Sequence, residues 1–184
     1  MRILALDLSK TATGFACWGP EDSCVASGHW VLGSEWTDDG TVFAKLHERM
    51  TDLHTVGRID AVFIEDAIDA RALHGHTNID TLKLLSGLAA HAKSWSAAMG
   101  CRMLREVNMS TWRRHFIGKM KRGTRTVDLK EFAMRRCREL GFNPKRHDEA
   151  EALGLLDYAC SDLGVTPFWR VEAPLVQQFA GRAR

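Results

Sequence analysis

Four acidic residues stand where chain elements begin or end: Asp7, Glu65, Asp148 and Glu151. Asp7 closes the apolar run Ile3-Leu4-Ala5-Leu6, and Glu65 closes Val62-Phe63-Ile64. A carboxylate at the end of a buried strand is costly unless a cation or a hydrogen-bond donor satisfies it. Asp148 and Glu151 are three residues apart, which puts both on one face of a helix. Carboxylates that converge from separate elements make a hard-oxygen site suited to Mg²⁺, with Mn²⁺ as a substitute. Two such ions about 4 Å apart can clamp an in-line displacement at phosphorus, one acidifying the attacking water and the other neutralising the leaving 3′ oxygen. No Ser, Cys or Lys nucleophile is then required. Singly, the acids have plainer roles: Asp7 as a strand-end turn residue, Asp148 as a helix N-terminal acid favoured by the macrodipole. Together they are the candidate catalytic and metal-ligating set. Asp66 competes with Glu65, but strand alternation lets only one of the two face a common site.

A second group of residues suits a polyanion. The net charge is only +2, yet residues 101–146 hold 14 Lys or Arg against four acids, a local +10, while the remainder carries −8. Such concentration on a near-neutral chain points to a nucleic-acid partner, although solvated helix faces produce part of the same pattern. Within it, Arg113, Arg114, Lys119, Lys121, Arg122 and Lys130 are the candidate DNA contacts. Trp112, beside two arginines, has the option of stacking on an unpaired base; core packing is the favoured role. His147 reads as a helix-entry residue with proton transfer or phosphate contact as the alternative. Lys10 and Thr11 either touch a phosphate or shape a hairpin. Arg71, His74 and His76 lie in a polar stretch after Glu65.

The chain of 184 residues, 45% hydrophobic and 26% charged, has the composition of one globular domain. No apolar run approaches the roughly 18 residues of a membrane span. The start lacks the apolar continuation of a signal peptide, so a soluble, cytosolic protein is expected. Five scattered cysteines (Cys17, Cys24, Cys101, Cys137, Cys160) form no CxxC pair, which argues against a zinc knuckle and a disulfide scaffold.

The elements that must position the acids follow from periodicity. Ile3 to Leu8, Thr13 to Trp18 and Ser23 to Leu32 read as an antiparallel meander, with a turn at residues 19–22. Thr41 to Val56 has helical spacing, and Ala61 to Ile64 is a buried strand. Asp69 to Asn78 reads as a loop, Ile79 to Met99 as a long helix rich in small residues, and Arg102 to Val107 as a fifth strand. Ser110 is the expected N-cap of a short helix to Phe116. A basic loop from Gly118 to Thr126 leads to helices over Val127 to Leu140 and His147 to Leu163. The order predicts an α/β fold with a five-stranded mixed sheet flanked by helices. The domain is expected over residues 1–163, with a C-terminal tail over 164–184.

Several segments resemble the RuvC family of Holliday junction resolvases, in its bacteriophage-type members. Ile3 to Ser9 followed by Thr13-Gly14-Phe15-Ala16 looks like the family's opening, and Val62-Phe63-Ile64-Glu65 like its second acidic strand. His147-Asp148-Glu149-Ala150-Glu151-Ala152-Leu153-Gly154 is similar to its final helix. Thr111-Trp112-Arg113-Arg114 with Phe116-Ile117-Gly118 is similar to a segment of phage-type members. The similarity runs to about residue 160. The resemblance implies an RNase H-like fold, with Asp7 bridging two metals and Glu65, Asp148 and Glu151 as the other ligands. It implies a homodimer that nicks a four-way junction symmetrically, leaving 5′-phosphate and 3′-hydroxyl ends, in a bacterial or phage-infected cell. Arg113 or Arg114 falls where the family has a basic residue near the scissile phosphate; Lys130 is a looser match. Three departures are visible: Glu151 where Asp is more usual, Leu8 where proline follows the first acid, and Ile68 in place of a junction-opening aromatic. They bear on junction selectivity more than on nuclease chemistry. Rival readings are a DNA-binding module without catalysis, a less selective flap or fork nuclease, a transposase-like relative, and an actin-like ATPase. The last needs two such domains, and this chain has room for one.

Overall fold

β-branched and other apolar residues in short runs, each stopped by a polar turn, build a five-stranded sheet in this computed structural model, which describes residues 1–66 and 79–171. The strands are β1 (Ile3–Asp7), β2 (Thr13–Trp18), β3 (Ala26–Trp30), β4 (Ala61–Glu65) and β5 (Met103–Val107). Their order across the sheet is β3-β2-β1-β4-β5. The first three form the antiparallel meander, with Asp7 opposite Gly14, while β4 and β5 run parallel to β1. Helices α1 (Asp39–Val56), α2 (Ile79–Ala98), α3 (Met109–Phe116), α4 (Thr126–Glu139) and α5 (His147–Asp162) complete the fold.

Strand alternation sorts the side chains into two layers. Leu4, Leu6, Val62 and Ile64 pack against Val42, Leu46 and Met50 of α1 and Leu88, Ala92 and Trp95 of α2. Ile3, Ala5, Ala61 and Phe63 pack against Trp112 and Phe116 of α3, Cys137 of α4 and the body of α5. Asp7 and Glu65 share the parity of this second set, so both leave the sheet beneath α5. The small residues expected to permit close packing in α2 do so at Gly87, where any Cβ would run into the ring of Phe43 on α1.

Most expected boundaries hold, with two differences. The third strand is shorter than Ser23 to Leu32, because β2 offers partners only from Thr13 to Cys17. Beyond Trp30 the chain turns off the sheet, and the N–H groups of Leu32 and Gly33 both donate to the Lys10 carbonyl at 3.0 Å. The N-cap of α3 is Asn108, not Ser110: its side-chain oxygen accepts from Ser110 N at 2.9 Å. Asn two residues earlier satisfies a free N–H of the first turn directly. Ile68, Arg71, His74 and His76 lie outside the described residues. The cysteines are free thiols, with Cys17, Cys137 and Cys160 buried.

After α5 the chain makes a single 3-10 turn at Phe168–Arg170. Trp169 joins the core, and Asp157 accepts hydrogen bonds from Trp169 Nε1 at 2.9 Å and Arg170 Nε at 2.8 Å. Burial alone would raise the Asp157 pKa, but these donors hold it below the usual carboxylate value.

Helix α5 is the element on which the site depends. Residues Glu149 to Asp157 are all buried, because α5 lies between the sheet and α3 and α4. Its first turn comes so near β2 that a Cβ on Gly14 would collide with the backbone carbonyl of Asp148. A glycine is therefore required there for close approach rather than for a special φ. Gly14→Ala should lower stability by about 1–3 kcal/mol or more, as overpacking against rigid backbone does, read as a shifted urea midpoint. An unchanged midpoint would mean that α5 does not seat on β2 as described.

Candidate active site

The entry of α5 is secured without using the candidate ligands. Arg146 provides no side-chain cap. Instead Glu149 turns back, accepting from Lys145 N and Ser27 Oγ, both at 2.8 Å. This leaves Asp148 and Glu151 facing the ends of β1 and β4. One oxygen each of Asp7, Asp148 and Glu151 lies within 4.8 Å of the other two. Glu65 is not part of that trio, but its charge acts on Asp7 and its own carboxyl feels Glu151. Glu65, rather than Asp66, reaches α3, where its Oε2 accepts from Trp112 Nε1 at 2.7 Å.

The electrostatics are those of a crowded anionic pocket. Burial, then the charges of Glu65, Glu151 and Asp148, push the Asp7 pKa well above its ordinary value. Burial also raises Glu65, although Arg113 and the Trp112 hydrogen bond work against it. The trio supplies hard oxygen donors alone, brought within 4.8 Å of one another, so these residues fit a divalent cation of the Mg²⁺ or Mn²⁺ type.

Three cations flank the pocket in different ways, and the exposed Arg146 lies 3.8 Å from Asp148 Oδ2. Arg113 is 6% exposed and forms an ion pair with Glu151 Oε1, with its Nε left without a partner. Lys130 of α4 is partly exposed and stands 3.8 Å from Glu151 Oε2. Arg113 is therefore inside the protein, while Arg114, Lys119, Lys121 and Arg122 are exposed around the loop after α3. A cleft of about 410 Å³ between α3 and that loop is lined by Met109, Ser110, Arg114, Lys119 and Leu129, with Arg113 at its base. His147 opens α5 and lies 3.5 Å from Glu131 Oε1. Lys10 donates to the Thr37 carbonyl at 2.6 Å, which ties the turn after β1 to the segment before α1. Trp112 is wholly buried, as core packing requires. Neither its indole N–H on Glu65 nor the Arg113–Glu151 pair follows from the sequence; the adjacency of an N–H donor and a cation in one short helix marks the two residues but not their partners.

No family model matches the sequence, and no curated protein matches it either. Solved structures do match. The RuvC of T. thermophilus bound to a Holliday junction superposes with a TM-score of 0.62 at 12% identity, over 89% of this chain and 96% of that one. The fowlpox virus Holliday junction resolvase gives 0.56 at 11% identity, over 89% and 99%. The yeast mitochondrial Holliday junction resolvase gives 0.55 at 13% identity, over 83% and 75%. Sheet order and helix placement thus define an α/β chain of the RNase H-like class. Within that class, the fold is that of the RuvC-type resolvases.

The raised acids have a consequence for stability. A carboxyl whose folded pKa exceeds its unfolded value contributes most below about pH 4, and that contribution is lost as pH rises through the folded value. Asp7→Asn should therefore raise the Tm of metal-free protein at neutral pH, and the gain should vanish toward pH 4. Mg²⁺ or Mn²⁺ should raise the wild-type Tm and leave the variant nearly unmoved. A variant less stable than wild type at pH 7 without metal would refute the crowded-anion description.

Proposed function

We propose that this protein is a metal-dependent endonuclease that cuts branched DNA, with the four-way junction as preferred substrate. The observation that carries the reading is the meeting of Asp7, Asp148 and Glu151 oxygens within 4.8 Å, at the ends of strand and helix in a resolvase-type fold. Asp7, Asp148 and Glu151, joined by Glu65, would hold Mg²⁺, with Mn²⁺ as a substitute. When bound, the ions acidify the attacking water and balance charge on the leaving 3′ oxygen.

The chain's own residues supply the rest. Asp7 sits centrally, feeling the charges of the other three acids, which suits it to share two cations. Lys130, partly exposed at the pocket rim, is placed to meet a non-bridging phosphate oxygen. Both Arg113 and Lys130 pair with Glu151, but Arg113 is buried and Lys130 is partly exposed, so Lys130 is the better candidate for that contact. Exposed Arg114, Lys119, Lys121 and Arg122 give a cationic track for the DNA backbone. The buried walls around Phe63, Trp112 and Leu153 exclude stray water from one side of the pocket. The functional unit is a homodimer, one site per strand, whose symmetric nicks leave 5′-phosphate and 3′-hydroxyl ends. The nuclease unit is assigned to residues 1–163 and the tail to 164–184. No helix among the described residues is long and apolar enough to cross a membrane.

Matched four-way, forked and linear duplex substrates with Mg²⁺ or Mn²⁺ test the proposal. Wild type should nick the four-way junction in preference to linear duplex. Asp7→Asn should abolish cutting, a loss of at least ~10³-fold, and leave junction binding intact or tighter as repulsion of phosphate falls. Faster cutting of forks would make it a flap or fork nuclease. Binding without any cutting would leave a catalytically silent DNA-binding module. Neutralising Arg114 and Lys119 together should weaken DNA binding and lower the salt slope by about 2; an unchanged slope would remove them from the interface.

A further inference from the structure

We infer that Trp112 and Arg113, adjacent on α3, are positioning residues that set the geometry of the metal site by each holding one of its carboxylates. This rests on the nuclease reading and deepens it. Consecutive helical residues point about 100° apart, so one short helix reaches two acids that come from different elements. Trp112 Nε1 donates to Glu65 Oε2 at 2.7 Å, and Arg113 pairs with Glu151 Oε1. Each grip engages one oxygen of its carboxylate. The second oxygen of each, Glu65 Oε1 or Glu151 Oε2, lies outside that grip, with Lys130 Nζ 3.8 Å from Glu151 Oε2 at the pocket rim.

The helix that carries these donors is itself held rigidly. Asn108 caps it, and Trp112 and Phe116 are buried against α5 at Gly154, where a Cβ would lie 2.8 Å from both rings. The Arg113 guanidinium lies 5.2 Å from the Trp112 ring centroid, so the two side chains also brace each other. An indole N–H only donates; it orients Glu65 without adding charge. The guanidinium orients Glu151 and offsets one of the four negative charges. The Arg113 pair also gives a reason for glutamate at 151, since the longer arm spans the gap between α5 and α3 while still meeting Asp7 and Asp148.

Donors that orient ligands typically change metal affinity by 10–100-fold when removed. Trp112→Phe keeps most of the ring and deletes the N–H. It should weaken Mn²⁺ binding to the DNA-free protein by roughly tenfold or more, read by calorimetry or by the spin resonance of free Mn²⁺. Cleavage should recover at high Mn²⁺, and junction binding without metal should stay within about twofold. On a Glu65→Ala background, which has no side-chain acceptor, the same change should add less than about twofold, because its route through Glu65 is gone. Arg113→Lys should behave in parallel, through Glu151.

A readout on the wild type guards against a variant that does not fold. One of the six indole N–H resonances expected from six tryptophans should move on titration with Mg²⁺ and lose that response in Glu65→Ala. A folded Trp112→Phe with the wild-type Mn²⁺ midpoint would overturn the inference, as would six indole resonances blind to Mg²⁺. If wild type neither binds Mn²⁺ nor cuts, the nuclease reading falls first, which keeps the two failures apart.

Discussion

Mutual repulsion among four carboxylates in a buried pocket is the constraint around which this fold is arranged. Asp7, Glu65, Asp148 and Glu151 come from β1, β4 and α5, and nothing local holds them together. They meet because β1 and β4 are parallel neighbours ending at the same edge, and because α5 crosses that edge with Gly14 beneath its first turn. Three cations (Arg113, Lys130 and Arg146) and one indole offset part of the charge. Burial first, and the neighbouring carboxylates after it, leave Asp7 with a strongly raised proton affinity. A folded state that carries such a deficit is stabilised by whatever cation fills it, so ligand binding and stability are linked at this one place.

That arrangement explains the distribution of polar residues through the core. Away from the site, buried acids are fully satisfied: Asp157 by Trp169, Arg170 and His115, and Glu149 by Ser27 and Lys145 N. At the site, the donors to Glu65 and Glu151 are fewer and leave oxygens free. The contrast on one helix is instructive. Glu149, Glu151 and Asp157 are all buried residues of α5, yet only Glu151 faces other carboxylates.

Much of this was legible in the sequence. The short continuous apolar runs Ile3 to Leu6 and Ala61 to Ile64 implied buried strands ending on acids. The i, i+3 spacing of Asp148 and Glu151 implied a shared helix face. What was not legible has a common cause: it depends on contacts across long sequence separations. Trp112 finding Glu65, and Arg113 finding Glu151, need α3 docked on α5. No local pattern encodes that docking angle. The N-cap of α3 was misread for a different reason, because Asn108 and Ser110 are both good caps and the choice follows where the chain leaves β5.

The basic segment shows how a charge count and a charge map diverge. Its 14 cationic residues resemble a single DNA footprint when read along the chain. In the fold, Arg113 is turned inward to Glu151, Arg105 pairs with Asp162, Arg102 with Asp60, Arg125 with Asp128, and Arg136 with Glu139. Among the described residues, Arg114, Lys119, Lys121 and Arg122 form no ion pair and are exposed together beside α3. The segment therefore divides into cations that hold the protein together and cations left for a partner. The dividing line runs between Arg113 and Arg114, two neighbours of identical chemistry. Helical rotation alone sends one to a carboxylate of the site and the other to solvent, which ties the geometry of the pocket to the surface along which a nucleic acid would approach.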